Sequence, residues 1–283
     1  RFGGNPLAVL PDATGLSSVQ MQQIAREFNF SESTFVLPSH RGYTRNVRIF
    51  TPTQEIPFAG HPNIGTAFVL SSIGEIGNID EGLNIIFEEK AGPVPISIRQ
   101  VGADIWCELK APESLSLGQS IDLDLIAAAL SLVPEDIVTS THQPIVASVG
   151  LPFVIVELDS RLALERARSY LPVIKEIQEL GVMPDILLYV RSDDDFDIRA
   201  RMFAPLDGVP EDPATGSANC ALAALLSHYK TESTGDFGWR IAQGVEMKRP
   251  SVLEARSKKR PDSGIDVWVS GTCKMVSEGL IEI

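Results

Sequence analysis

Arg201-Met202-Phe203-Ala204-Pro205, followed by Pro210 and then Asp212-Pro213-Ala214-Thr215-Gly216-Ser217-Ala218, repeats in altered form a stretch from the first half of the chain. The earlier stretch is Arg48-Ile49-Phe50-Thr51-Pro52, followed by Pro57 and Ala59-Gly60-His61-Pro62-Asn63-Ile64-Gly65-Thr66-Ala67. Arg48/Arg201, Phe50/Phe203, Pro52/Pro205 and Pro57/Pro210 lie 153 positions apart (201 minus 48). The same offset carries Glu32-Ser33-Thr34-Phe35-Val36-Leu37 onto Asp185-Ile186-Leu187-Leu188-Tyr189-Val190. At the helix start the offset reads 151, through Pro62/Pro213, Gly65/Gly216 and Ala67/Ala218. Each copy reads strand, strand, tight turn and apolar helix, and a nearly constant offset across all of them points to duplication. A duplicated unit often packs about a pseudo-two-fold axis. Such an axis would bring the two helix N-termini face to face across a cleft.

The chain has 283 residues, enough for two ordinary domains with separate cores. It is 44% hydrophobic and 22% charged, the balance of a soluble globular protein. The net charge of −13 argues against nucleic acid as a partner, because phosphate contacts need clustered Lys and Arg. It leaves room for a small anionic substrate, since backbone N–H groups at helix N-termini bind anions without net basic charge. Cys107, Cys220 and Cys273 form no CxxC pair, and with four scattered histidines no zinc spacing emerges. Sparse, odd cysteines suit a reducing cytoplasm, and no apolar run reaches the length of a membrane span. The sequence opens at Arg1 without a methionine, which leaves room for a preceding segment.

Gly4-Asn5-Pro6-Leu7-Ala8-Val9-Leu10 reads as a strand after a turn, and Ser17 or Ser18 caps a helix to about Phe28 with Met21, Ile24 and Ala25 on one face. Paired strands are expected at 33–38 and 44–50, and the uncharged 63–72 reads as a helix buried all round. Strands follow at 83–87, 94–99 and 105–110, then an inter-domain linker at 112–120. Gly150-Leu151-Pro152-Phe153-Val154-Ile155-Val156 echoes the first strand 146 residues later. The second half further predicts helices at 123–132, 162–180 and 217–229 and strands at 186–191, 196–203, 240–243, 252–256, 266–270 and 272–283. Hairpin connections make the class α+β. The domains are expected at 1–115 and 116–270, with 271–283 a closing strand that returns to the first.

The two helix starts carry the candidate chemistry. Asp212-Pro213-Ala214-Thr215-Gly216-Ser217 and Gly60-His61-Pro62-Asn63-Ile64-Gly65 are loops of small residues that leave the first helical N–H groups free. Facing each other, such ends would clamp a carboxylate or stabilise an enolate-like anion; the plain alternative is that both simply cap buried helices. Glu32 follows Asn29-Phe30-Ser31 at the mouth of an apolar strand, where partial desolvation would raise its pKa toward the working pH. Each residue has an ordinary reading too: Glu32 a solvated strand end, Asp212 a helix cap, Ser217 a first-turn residue, His61 a turn histidine. Cys220 shares a helix face with Ala223 and Ala224, which reads as core. Lys258-Lys259-Arg260 with Pro261-Asp262-Ser263-Gly264 reads as a solvated hairpin tip.

Taken together, Gly4-Asn5-Pro6-Leu7-Ala8-Val9, Phe30-Ser31-Glu32-Ser33, Phe58-Ala59-Gly60-His61-Pro62, Glu211-Asp212-Pro213-Ala214-Thr215-Gly216-Ser217-Ala218 and Gln243-Gly244 with Met247 and Arg249-Pro250-Ser251 resemble the PhzF family of phenazine-biosynthesis-like isomerases. The resemblance runs in order along nearly the whole chain. It implies the diaminopimelate-epimerase type of fold, two pseudo-symmetric domains that each wrap a mostly antiparallel sheet around a central helix, with the active site between them. It also implies a general acid/base at Glu32, with His61, Asp212 and Ser217 as further catalytic residues, and Gly60, Gly216 and Asn5 as substrate-binding ones. No cofactor and no metal are implied. The family opens with a strand just ahead of the segment that residues 1–5 resemble, and this sequence starts after it. Related epimerases and racemases place two cysteines at the helix starts; here Ala59 and the Pro213-Ala214 region stand there, which argues against a two-thiol mechanism.

The implied activity is a cofactor-independent isomerisation in which Glu32 removes a proton from an activated carbon and returns it elsewhere on the same face. The expected partner is a small anionic substrate, with neither nucleic acid nor membrane, and the expected assembly is a cytoplasmic homodimer. The alternative from another class is a non-catalytic metabolite-binding or protein-interaction member of the same fold.

Overall fold

The first unit, Arg1–Lys110 with Ser270–Ile283, opens on a short strand, β1 (Leu7–Leu10). The helix α1 (Ser18–Phe28) follows, with Ser17 as its cap: Gln20 N donates to Ser17 Oγ at 3.3 Å and Ser17 N to Gln20 Oε1 at 3.0 Å. Two orphan donors are thereby satisfied reciprocally. The buried face of α1, Met21, Ile24 and Ala25, packs on Phe35 and Phe50 of β2 (Glu32–Leu37) and β3 (Arg45–Phe50). The remaining elements are β4 (Glu55–Ile56), α2 (Gly60–Ser72), β5 (Leu83–Glu89), β6 (Gly92–Val101) and β7 (Asp104–Lys110). The sheet runs β1-β2-β3-β5-β6-β7, and α2 packs against β1, β2, β6 and β7, so the strands curve round it. The computed structural model describes residues 1–282 apart from residue 263.

The second unit, Ala111–Val269, builds the same pattern. Its elements are β8 (Ser116–Ser120), α3 (Leu123–Ala129), β9 (Ile145–Ser148), β10 (Pro152–Glu157), α4 (Arg161–Arg166), α5 (Leu171–Glu179), β11 (Ile186–Arg191), β12 (Ile198–Ala204) and β13 (Val209–Asp212). They continue through α6 (Gly216–His228), β14 (Gly235–Gln243), β15 (Ser251–Lys259) and β16 (Ile265–Thr272), whose last residues reach the first unit's span. The order is β16-β15-β14-β12-β11-β10-β9-β8, and α6 packs against β9, β10, β14 and β15. Nearly every residue of α6 is buried, so this helix is the axis of its unit. The α+β class expected from the hairpin connections is the class observed.

Register shows the duplication. In the first unit β1–β2 is parallel, β2–β3 antiparallel and β3–β5 parallel; in the second, β10–β11, β11–β12 and β12–β14 repeat those senses. Ser33 pairs with Phe50 and Ile186 with Phe203, both 153 on. Ala8 pairs with Ser33 and Val154 with Ile186, which confirms the offset of 146 for the first strands. One offset needs correction. At the helix starts it is 156, not 151: the N-caps are Ala59 and Thr215, and the first helical residues are Gly60 and Gly216. Asn63 Nδ2 donates to Ala59 O and Asn219 Nδ2 to Thr215 O, each at 2.9 Å. Ser71 and Ser227 bond back to Ala67 O and Ala223 O, each at 2.7 Å. The slip occurs between Pro205 and Glu211, three residues longer than the stretch from Pro52 to Glu55. It is fixed by matching forks: Arg48 grips Glu55 at 2.7 and 2.9 Å, and Arg201 grips Glu211 at 2.8 and 2.8 Å.

Four other expectations are corrected. The stretch 112–120 is not a plain linker: Ser116–Ser120 is the exposed edge strand β8, held by backbone pairing to β9 and too polar to show alternation. The helix at 162–180 is two helices, because Pro172 in the first turn of α5 cannot continue a helical ladder and the chain extends at Ala167. The helix α2 is not buried all round, since Ile64, Phe68 and Val69 stay half-buried. Residues 273–282 form no closing strand; apolar alternation breaks at Ser277-Glu278-Gly279, and β16 already includes Thr272. Residue 283 of that expected strand, and Ser263 of the hairpin tip, lie outside the described residues. Among the described residues no helix is long and apolar enough to cross a membrane.

Candidate active site

Glu32 is the first residue of β2 and His61 the second of α2, and the fold delivers both to one end of the first unit. Glu32 Oε2 lies 3.3 Å from His61 Nε2, with both side chains largely buried. Asn5, just ahead of β1, completes the group. Ser31 Oγ donates to Asn5 Oδ1 at 2.9 Å, which turns the amide nitrogen toward His61 Nδ1 at 3.2 Å. With Nδ1 accepting, a neutral imidazole carries its proton on Nε2, the ring nitrogen that lies near Glu32. Burial pushes the Glu32 carboxyl above its ordinary range. The result is a carboxyl with raised proton affinity beside an oriented N–H donor, a pairing suited to general acid–base work.

The start of α6 is organised differently. Thr215, the N-cap, donates its hydroxyl to Asp212 Oδ2 at 2.5 Å. Gln243, the last residue of β14, ties the turn together: its Nε2 donates to Asp212 O (2.8 Å) and Thr215 Oγ1 (3.0 Å), and its Oε1 accepts from Asn219 Nδ2 (2.7 Å) and Thr215 N (3.2 Å). The next residue must be glycine. Gly244 has φ +73°, and a Cβ there would lie 2.5 Å from Arg249 O and 2.7 Å from Pro213 O. Gly216 and Ser217 are the first two residues of α6, where unbonded N–H groups and the helix dipole favour an anion.

Of the residues expected in the site, Asn5, Glu32, Gly60 and His61 come together in the first unit, and Asp212, Gly216 and Ser217 at the α6 start in the second. Under the corrected offset Ser217 takes the place of His61. Asp185 takes the place of Glu32, and its carboxyl is pushed up to about 7, by burial first and then by the facing Asp207. Asp207 belongs to the longer loop, so the first unit has no counterpart. Cys107 and Cys220 are buried, and burial raises the thiols of Cys107 and Cys273, the reverse of what a thiolate nucleophile needs.

Residues 1–279 match the family model described as phenazine biosynthesis-like protein, PhzC-PhzF. The chain belongs to that family. Trans-2,3-dihydro-3-hydroxyanthranilate isomerase of Pseudomonas aeruginosa is 35% identical to this PhzF-family chain, covering 98% of it and 93% of the relative. An uncharacterized isomerase of Mesorhizobium japonicum is 34% identical over 100% of the chain and 95% of its own length. The crystal structure of a PhzF-family phenazine biosynthesis protein from Bacillus anthracis superposes with a TM-score of 0.85 over 95% of this chain and 90% of that one; at 23% identity it attests the fold.

Sequence reading did not single out Asn63, Asn219, Gln243 or Glu89 as parts of these sites. For the two asparagines the 156-residue offset was the available signal: it aligns Gly60-His61-Pro62-Asn63 with Gly216-Ser217-Ala218-Asn219.

Proposed function

We propose that this PhzF-family chain is a cofactor-independent isomerase that moves a proton on a small carboxylate-bearing substrate, with Glu32 as the proton carrier. The observation that carries the reading is the buried Glu32 carboxyl 3.3 Å from the Nε2 of an imidazole held by Asn5. The ionised carboxylate takes a proton from a C–H activated by conjugation, leaving its electron pair delocalised through the adjoining double bond. The carboxylic acid so formed returns the proton to another carbon of the same conjugated system. Nothing is oxidised or reduced, and one group serves both steps because the acid made in the first is the donor in the second. His61 steadies the carboxylate through its N–H, and Asn5 with Ser31 fixes the ring's tautomer. The substrate class follows the Pseudomonas aeruginosa relative, whose name specifies a dihydro-hydroxyanthranilate. Each unit offers free first-turn N–H groups as a proposed anion holder, at Gly60 in the first and at Gly216 and Ser217 in the second, with Asp212 setting the conformation of the α6 start.

The test is incorporation of solvent deuterium into trans-2,3-dihydro-3-hydroxyanthranilate or a close analogue, followed by NMR. Glu32→Gln keeps shape and removes the base, and the exchange rate is expected to fall ~10²–10⁴-fold. A well-folded Glu32→Gln protein that exchanges at the unaltered rate would remove Glu32 from the mechanism.

A further inference from the structure

Glu89 is a buried carboxyl that the reaction scheme leaves without a task. It ends β5, it is 7% exposed, and neither of its oxygens makes a hydrogen bond of normal geometry with a described residue. The Asn63 side chain lies beside it, in the first turns of α2 two residues after His61. The adjoining turn is fastened to the segment leading into α2, with Ala91 N donating to Pro57 O at 3.1 Å.

The second unit shows what belongs at this position. Arg45 pairs with Phe87 and Ile198 with Ile241, so the last residues of the two strands, Glu89 and Gln243, correspond. Their neighbours Asn63 and Asn219 correspond as well, each bonded to its own N-cap carbonyl. Gln243 offers the α6 start one acceptor and one donor: Oε1 to Asn219 and Thr215 N, Nε2 to the Asp212 carbonyl and the Thr215 hydroxyl. A carboxylate at the same place would offer two acceptors and a charge in a dry site. A carboxylic acid offers one acceptor and one O–H donor, the inventory of the amide.

We infer that Glu89 is a positioning residue: its protonated carboxyl holds the start of α2, and through it His61, as the Gln243 amide holds the start of α6. The surrounding charges are engaged elsewhere. Arg48 of β3 pairs with Glu55, Arg45 with Glu75, and Arg99 of β6 lies over Trp106. Glu88 takes Ser39 Oγ and His40 N, His61 faces Glu32 and Asn5, and Lys90 acts on Glu55. Burial pushes the Glu89 carboxyl up to about 8, against a smaller opposing pull from Asn63. The acid is therefore neutral at pH 7 and ionises in mild alkali.

The kinetic part of the test rests on the isomerase reading, and the spectroscopic part does not. Wild type, Glu89→Gln and Glu89→Leu are compared for kcat and KM between about pH 6 and pH 10, the span around the raised carboxyl. Wild-type kcat is expected to fall on the alkaline side as Glu89 ionises. Glu89→Gln should abolish that limb and keep kcat at pH 7 within about threefold, while Glu89→Leu should lower kcat roughly tenfold or more with little change in KM, the effect of a misplaced catalytic group. An alkaline limb that persists in Glu89→Gln, or a Gln variant as impaired as the Leu variant, would overturn the inference. Infrared spectroscopy of the resting protein at pH 7 needs neither turnover nor a folded Leu variant. A carboxylic-acid carbonyl band present in wild type and lost in Glu89→Gln supports the assignment, and an unchanged spectrum refutes it. Should Glu32→Gln leave exchange intact, the isomerase reading fails while the band still decides the state of Glu89.

Discussion

Replacing Glu89 by glutamine should make the protein more stable, by an amount that depends on pH in a defined way. The carboxyl has an ordinary value of 4.5 in the unfolded chain and about 8 in the folded one. Because the folded value is raised, the stability Glu89 lends is fully present below pH 4.5 and is lost as pH rises to about 8, where the folded protein too gives up the proton. Within that window each pH unit costs ~1.4 kcal/mol. Glutamine keeps the size, the acceptor and the donor and has nothing to ionise. The difference between variant and wild type should therefore be near zero at pH 4.5 and about 3 kcal/mol in favour of Glu89→Gln at pH 7, as an upper estimate from full burial. The assay is urea unfolding of both proteins at matched pH between about 5 and 8, where other carboxylates cancel in the difference. The mirror substitution Gln243→Glu should lose a similar amount at pH 7 and regain it toward pH 5. A Glu89→Gln difference that is the same at pH 5 and pH 7 would refute the reasoning, whatever its size.

Three further outcomes follow from the same geometry. Gly244→Ala forces a Cβ onto two carbonyl oxygens at φ +73° and should cost about 3 kcal/mol or more in urea unfolding; Gly208→Ala, at φ +80° with open space around it, should cost only about 1 kcal/mol. Joint replacement of Cys107, Cys220 and Cys273 by alanine or serine should leave deuterium exchange intact in protein that still folds, and loss of exchange with normal melting would revive a thiol mechanism. Gly216→Val should weaken binding of benzoate-like acids measured by calorimetry; unchanged affinity would take the α6 start out of anion binding.

Much of the fold was legible because the two copies keep the residues that shape them. Arg48-Ile49-Phe50 and Arg201-Met202-Phe203 alternate over one sheet, each arginine lies across its phenylalanine ring, and each grips a glutamate that follows a turn. The central helices stood out because neither carries an Asp, Glu, Lys or Arg. What was illegible depended on alignment through a turn of unequal length. Prolines at 57, 62, 210 and 213 offer two matchings, and the Arg–Glu forks together with the Asn63 and Asn219 bonds to the N-cap carbonyls decide between them. The Glu32 group was readable in part: motif resemblance found Glu32 and His61, but not that Ser31 and Asn5 set the imidazole tautomer, because three separate segments meet there. Glu89 gave no signal at all. In Phe87-Glu88-Glu89-Lys90 it reads as one more solvated charge, and only the strand register places it in the dry interior.

The correspondence between Glu89 and Gln243 also has a genetic side. Codons for glutamate and glutamine differ at the first base alone, so a single transversion in either half of the duplicated gene adds or removes the ionisable group at this position. After duplication, the half that carries a buried acid and the half that carries an inert amide are thus one substitution from matching and two from trading places, with folding thermodynamics as a function of ambient pH as the selectable trait. A population in an alkaline habitat would be drawn toward the amide in both halves, and one in an acidic habitat would bear little burden from the acid in either.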